Sequence, residues 1–417
     1  MKSKLNHKVD IIVPLQQHSY RTAIGLINEN NLNHYYTSVY NNEKGIYKIL
    51  DFILPQGLKN RMHAKREQVL TPYVECRCRL LGLIFLFVLR IRLFSRVYHY
   101  VREILVSLCG YYAAKSSSKE ATNIIWSFDT MALSAFKHAK KHHSICVLEM
   151  ASTSVETIKR IVDSEYNKHL PLSYTLERHR RLYPKTKCIK LKKEIELADY
   201  VVVATTFVKD CLVEEGCPIE KVRVIPLGMD TSKFVPKQDY TMRGKLKFLF
   251  VGRLESAKGI DYILEVFKQL GDKDIELLCV GEIFGDRLVY ESYSSNIKLL
   301  GLKRPDEMPE IYRQADVYIQ PSLWEGFSLS LLEGMASGLP VIATKYSCAP
   351  DVVTDYEEGF VIEPRNIEDF KSKVLWFTEH RNLIQIMGQK ARKKAQNISW
   401  EKYYDGINSL VNEIRNG

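Results

Sequence analysis

The chain lacks any apolar run long enough to cross a bilayer. The longest, Leu80 to Leu89, has ten residues, where about 20 are needed. Its opening, Met1 to Asp10, is polar, so no secretory leader is expected. Cysteine is sparse and unpatterned: the nine are an odd number, and only Cys76 and Cys78 lie close together. A C-x-C pair with no second pair and no histidine cluster is a poor zinc site, so free thiols in a reducing cytoplasm are expected. No segment is of low complexity, no internal repeat recurs, and no nucleic-acid recognition motif is present. These absences leave a globular chain, and 417 residues exceed one ordinary core, which points to two domains of about 200 residues each.

Acidic residues are scarce in one half only. Residues 1–200 hold 32 Lys and Arg against 17 Asp and Glu, whereas the remainder holds 28 against 32, for a whole-chain net charge of +11. A basic half suits an anionic partner, whether nucleic acid, a membrane surface or a phosphorylated acceptor, or else is a solvated surface. Short β-branched runs alternate with amphipathic stretches throughout. Strands are predicted at 9–13, 124–126, 144–148, 200–204 and 222–226, with a helix at 20–30. A second series follows a linker near 227–240: strands at 247–251, 275–280, 297–301, 317–320 and 340–343, with helices at 259–270, 307–315 and 328–337. This alternation predicts an α/β protein of two doubly wound Rossmann-like domains, whose ligands bind beyond the carboxyl ends of the strands and therefore in the interdomain cleft.

Two segments carry chemistry. In Glu325-Gly326-Phe327-Ser328-Leu329-Ser330-Leu331-Leu332-Glu333 a loop after a strand opens a helix. The amides of Phe327, Ser328 and Leu329 form an anion site, Gly326 permits close backbone approach, and Glu325 and Glu333 stand about two turns apart. Upstream, Gly252-Arg253-Leu254-Glu255-Ser256-Ala257-Lys258-Gly259 sets a planar guanidinium and an ammonium around a turn, both suited to a diphosphate. Asp272-Lys273-Asp274 precedes a strand and reads as a solvated turn, so no metal site is expected.

These motifs resemble those of the family-4 (group 1) retaining glycosyltransferases of the GT-B fold. The resemblance runs from about 194 to 400 and includes Ala198-Asp199, Ile225-Pro226-Leu227-Gly228-Met229-Asp230, Gly301-Leu302 and Ala315-Asp316-Val317. It implies that Arg253 and Lys258 hold the donor diphosphate, Glu325 touches the donor-sugar hydroxyls, and Glu333 binds the ribose. It further implies that the amides of Phe327, Ser328 and Leu329 hold the terminal phosphate and that Gly281 and Leu302 flank the base. The expected domains are 1–227, binding acceptor, and 228–400, binding the nucleotide-sugar donor, with a final helix at about 401–417 packing back on the first. No metal or other cofactor is implied, since cations and a helix terminus stabilise the leaving diphosphate.

The first half departs from the family pattern. Paired glycines are replaced by Pro14-Leu15-Gln16-Gln17-His18-Ser19. Gln17, His18 and Ser19 are expected to face the cleft, with His18 either structural or catalytic. Asp129, after a strand, is either a helix N-cap or an acceptor-side catalytic group, and Glu149 is either a cleft or a packing residue. In 79–109, Phe94, Val97, Val101, Ile104 and Leu108 recur at helical spacing beside Arg90, Arg92, Arg96 and Arg102. This segment either docks on the first domain or meets an anionic membrane surface.

The expected function is transfer of a sugar from a nucleotide-diphosphate-sugar to a glycan or lipid-diphosphate-linked glycan. The expected setting is bacterial surface polysaccharide assembly, in the cytoplasm or peripherally on the inner face of the plasma membrane, with no nucleic-acid partner. Alternatives are a soluble sugar synthase acting on a small acceptor, a nucleotide-sugar epimerase, and a non-catalytic sugar-nucleotide or glycan-binding scaffold.

Overall fold

The computed structural model describes residues 8–15, 18–87, 95–118, 124–238, 240, 244–271, 274–293 and 295–416. Seven strands form the first sheet: β1 (Val9–Ile12), β2 (Leu32–Thr37), β3 (Val74–Cys76), β4 (Ile124–Phe128), β5 (Ile145–Met150), β6 (Tyr200–Val203) and β7 (Val222–Val224). Six form the second: β8 (Leu246–Val251), β9 (Ile275–Val280), β10 (Ile297–Gly301), β11 (Val317–Gln320), β12 (Val341–Thr344) and β13 (Gly359–Ile362). The orders are β3-β2-β1-β4-β5-β6-β7 and β10-β9-β8-β11-β12-β13, and every ladder is parallel. Strand order reverses between β1 and β4 and between β8 and β11, so each sheet has one switch point, where crevices open at the carboxyl ends.

The strands form where both faces are covered, as their continuous apolar runs require. One face of the second sheet buries Phe248, Phe250, Leu277 and Val317; the other buries Leu249, Tyr318, Val341 and Leu331. The final helix, Trp400–Asn416, crosses to the first sheet. Its Tyr403, Ile407, Leu410 and Val411 join Val9, Ile11 and Trp126 in one core, and Asn408 donates to the Gly25 carbonyl at 2.8 Å.

Between helices Val155–Tyr166 and Glu177–Leu182 the chain leaves the first sheet. Leu172 is fully buried in the core of the second. The Leu172 amide donates to Asp261 Oδ1 at 2.9 Å, and the Tyr262 hydroxyl donates to buried Glu165 at 2.5 Å.

Several elements differ from the sequence expectation, and three of the differences bear on the site. Strand β5 continues to Met150, so Glu149 lies inside it. Strand β7 stops at Val224. Segment 79–109 falls in two helices, Arg79–Phe87 and Ser95–Ser117; Arg90, Arg92, Phe94 and the side chain of Arg96 lie outside the described part. Val97, Ile104 and Leu108 are largely solvent-facing, while Leu105 and Val106 take the buried side. A further helix, Ile46–Ile53, turns Tyr47 and Leu50 toward Leu83 and Leu86 and leaves Ile46, Ile49, Phe52 and Ile53 exposed. Among the described residues no helix is long and apolar enough to cross a membrane, and none of the nine cysteines is in a disulfide.

Candidate active site

The four segments that stand at the two switch points are those following β1, β4, β8 and β11. They carry His18, Asp129, Arg253 with Lys258, and Glu325. The two sheets face one another across a cavity of about 220 Å³, which the segments after β8 and β11 line directly and those after β1 and β4 do not. Its second-sheet wall includes Arg253, Lys258, Glu325 and Phe327. Its first-sheet wall is Ala151, Ser152 and Thr153, the turn after β5, closed by His179 and Trp324.

Gly326 sits where the walls meet. A Cβ there would lie 2.2 Å from the Ala151 carbonyl oxygen, and Thr205 Oγ1 donates to the Gly326 carbonyl at 3.3 Å. The close approach that this glycine permits is therefore to the opposite domain.

The cavity's charges are paired. Lys258 Nζ donates to Glu325, which also accepts from Ser322 at 3.0 Å and Gln320 at 3.4 Å. Arg253 lies 3.0 Å from buried Glu255, whose other oxygen meets His179 at 3.3 Å. Arg253 and Lys258 and the carboxylates that hold them, Glu255 and Glu325, all line the cavity, and a polyanionic ligand would compete for both cations.

The helix at this edge is Leu329–Ala336, one residue shorter at its start than expected, because Ser328 is its cap and accepts from the Leu331 amide. The amides of Leu329 and Ser330 fall in the first turn, where none has a carbonyl partner inside the helix. Glu333 is half-buried and accepts from the Tyr312 hydroxyl at 2.8 Å; burial raises its carboxyl pKa against that bond. Gly281 has φ 144°, and a Cβ would strike the Gly252 carbonyl oxygen at 1.8 Å. Its amide donates to Gly301, so it ties the ends of β8, β9 and β10 together. Leu302 is exposed just beyond β10. Gly281, Leu302, Ser328, Leu329 and Glu333 do not line the cavity itself.

On the first sheet, His18 Nε2 meets Glu149 Oε1 at 2.5 Å. Glu149 also accepts from Trp126 Nε1 at 2.8 Å, Thr22 at 3.1 Å and, from the final helix, the Tyr403 hydroxyl at 2.6 Å. Four donors explain why a carboxylate lies inside a buried strand: it is a packing and orienting group, not a cleft residue. Burial opposes charge on both partners. The pull of Glu149 still leaves His18 above the usual histidine value, and His18 with the donors holds Glu149 below the usual carboxylate value.

Asp129 is not a helix cap, because the helix Leu133–Lys141 starts after Ala132. The donors there go instead to Glu194, which accepts the amides of Thr130, Ala132 and Leu133. Asp129 is 6 % exposed; Oδ2 accepts from Ser152 at 3.3 Å and Oδ1 has no partner. Burial raises its pKa. The structure thus links Asp129 to the cavity through Ser152. Ser19 is buried and bonded to Tyr35, so it does not face the cleft; Gln16 and Gln17 lie outside the described residues.

Sequence reasoning missed Ser152, Thr153, His179 and Trp324. The first two follow a parallel strand, which was the available signal; His179 had none. Of the Asp272-Lys273-Asp274 turn only Asp274 is described, paired with Arg381 at 2.9 Å.

Comparison with known proteins agrees with this geometry. The family described as glycosyl transferases group 1 matches residues 236–394. An uncharacterized glycosyltransferase of Methanocaldococcus jannaschii is 31% identical over 168 residues, 40% of this chain and 48% of that protein. The UDP-Gal:alpha-D-GlcNAc-diphosphoundecaprenol alpha-1,3-galactosyltransferase of Escherichia coli is 30% identical over 204 residues, 45% of this chain and 52% of that protein. The chain thus spans about half the length of these curated relatives. In three dimensions the similarity extends further. Sucrose-phosphate synthase of Thermosynechococcus elongatus superposes with a TM-score of 0.64 at 18% identity, covering 98% of this chain and 99% of that one. Anabaena HepE in complex with UDP gives 0.63 at 14%, covering 97% and 100%. The whole chain therefore has the GT-B fold, and its residues 236–394 match the family model of the group 1 glycosyltransferases.

Proposed function

We propose that this protein is a retaining, metal-independent glycosyltransferase that moves a sugar from a nucleotide-diphosphate-sugar to a glycan or lipid-diphosphate-linked glycan. The observation that carries the reading is the cavity between the two sheets, which Arg253, Lys258 and Glu325 line together with Ser152, itself bonded to Asp129. A donor diphosphate would draw Arg253 and Lys258 from Glu255 and Glu325, freeing Glu325 for the sugar hydroxyls. The amides of the Leu329–Ala336 helix would meet the terminal phosphate and Glu333 the ribose, with Gly281 and Leu302 beside the base. Two cations and a helix N-terminus stabilise the departing diphosphate as the anomeric C–O bond breaks, which makes a metal ion unnecessary. The acceptor oxygen bonds to the anomeric carbon, and Asp129, made more basic by burial, takes its proton.

The UDP complex of Anabaena HepE supports a nucleoside-diphosphate donor. The E. coli relative, named for transfer onto a diphosphoundecaprenol-linked sugar, supports a lipid-diphosphate acceptor and bacterial surface polysaccharide assembly (capsule, O-antigen or exopolysaccharide). A basic first half with exposed Phe52, Ile49, Leu80 and Tyr100 supports peripheral binding of an anionic membrane from the cytoplasmic side. The test is calorimetry with UDP-, GDP-, ADP- and TDP-sugars. One nucleotide class should bind, at least tenfold more weakly in Arg253→Ala and Glu333→Ala. Binding unchanged in both variants would sink the donor-site assignment.

A further inference from the structure

A second cavity, of about 230 Å³, lies in the first domain and, among the described residues, shares no lining residue with the first. Leu15, in the turn after β1, and Met131, two residues past Asp129, form its inner wall. Phe85 and Leu86 of the helix Arg79–Phe87 form its outer wall, and Lys65 and Arg102 supply its charge. Arg102 is tied to the same turn as Asp129: its guanidinium donates to Thr130 Oγ1 at 3.0 Å. Asp129 lines neither cavity but is bonded to Ser152 of the first and lies two residues from Met131 of the second, and among the described residues its buried Oδ1 has no partner.

The chemistry of the second cavity is mixed in a particular way. Its cations have an apolar floor: besides Leu15, Met131, Phe85 and Leu86, the Tyr98 ring packs on Phe85 at 4.9 Å between centroids. Among the described residues no acidic side chain lines it, and Arg102 is ion-paired with Glu103, with which an anionic ligand would compete. A neutral glycan could bond Thr37, Ser38 and Tyr98, which also line it, but would bring no counter-charge to Lys65 and Arg102, and a free inorganic anion would leave the floor uncovered. The volume, below the roughly 300–1,000 Å³ of sites for drug-sized ligands, suits a head group and the first carbons of a chain. Exposed apolar side chains also stand on the helices behind this wall, with Leu80 73% and Phe52 89% exposed, so a chain leaving the cavity would meet an exposed apolar surface.

We infer that this cavity is the acceptor subsite and that it takes a phosphate or diphosphate carried on an apolar chain. Lys65 and Arg102 meet the anion, while Phe85, Leu86 and Leu15 cover the adjoining carbons. The inference deepens the transfer reading above and rests on it for the name acceptor.

The test is calorimetry with dodecyl phosphate below its micelle concentration, alongside inorganic phosphate and pyrophosphate, on the full chain. Dodecyl phosphate should bind at least tenfold more tightly than either inorganic anion. Its affinity should fall at least tenfold in Arg102→Gln and in Lys65→Gln, with Arg102→Lys retaining most of it and confirming a folded site. Equal affinity for dodecyl phosphate and the inorganic anions would overturn the inference, as would unchanged binding in both glutamine variants. Nucleotide-sugar binding is titrated on the same samples. Its absence in the parent protein sinks the transfer reading, whereas its presence beside a failed dodecyl phosphate titration sinks the acceptor subsite alone.

Discussion

His18 and Glu149 form an ion pair whose charge state depends on burial and on each other. Asp129 adds to the field on His18 from the neighbouring strand end, and Tyr403 donates to Glu149 from the final helix. The raised pKa of His18 means its contribution to stability is fully present below its unfolded value of 6.5 and is lost as pH rises through the folded value. The lowered pKa of Glu149 means its contribution is fully present above 4.5 and is lost as pH falls through the folded value. The pair therefore stabilises most between those two limits. In Glu149→Gln, burial of His18 remains without its counter-charge, so its pKa should fall. If the imidazolium serves turnover, the alkaline limb of the kcat/KM profile should move to lower pH; an unmoved limb would show that His18 does not titrate in the working range. Lys258→Ala removes one of the two cations proposed to hold the diphosphate and should lower kcat/KM by roughly 10²–10³, the range for losing one preorganised charge at a developing anion.

Elements place these side chains through their ends. The turn carrying Asp129 is held by Glu194, which satisfies three amides at the start of Leu133–Lys141. Glu194→Ala would strand those donors, and chemical denaturation should show a loss of about 1–3 kcal/mol. At the opposite wall, Gly326 is the contact point of the two domains. Gly326→Ala drives a Cβ into the Ala151 carbonyl and should hold the cleft open. Turnover should drop at least tenfold while nucleotide affinity stays within about threefold, because the nucleotide contacts proposed above lie on the second domain. Parallel loss of affinity would mean that the substitution damages the second domain itself.

Across the whole molecule the two sheets are joined by more than the linker. The final helix returns to the first sheet, and Leu172 enters the core of the second. Leu172→Ala should cost about 2–5 kcal/mol by opening a buried cavity. Since the loss falls on a residue that ties one domain to the other, two separated melting transitions are expected in calorimetry; a single transition would show that the linker and final helix suffice for cooperativity. If the exposed face of Ile46–Ile53 meets lipid, Phe52→Glu should abolish pelleting with anionic vesicles and leave the melting temperature unchanged, because Phe52 packs against almost nothing.

Much of the fold was legible because a parallel strand covered on both faces must be apolar along its length, and because a chain turning into a helix at its end exposes amides. That was enough to find β1, β4, β8 and β11 and to name Arg253, Lys258, Glu325, Asp129 and His18 at their ends. Periodicity reports that a residue is buried and is silent about what buries it. It did not pair His18 with Glu149, 131 positions away, or bring Tyr403, 254 positions from Glu149, to the same carboxylate. It did not put Leu172 in the second core or divide 79–109 into two helices that wall a cavity. The local sequence determined the strands, turns and chemical groups, since these follow from burial patterns within a few residues. Which strand ends share a cleft was decided only by tertiary structure, because sheet order and domain closure depend on contacts between residues far apart in the chain.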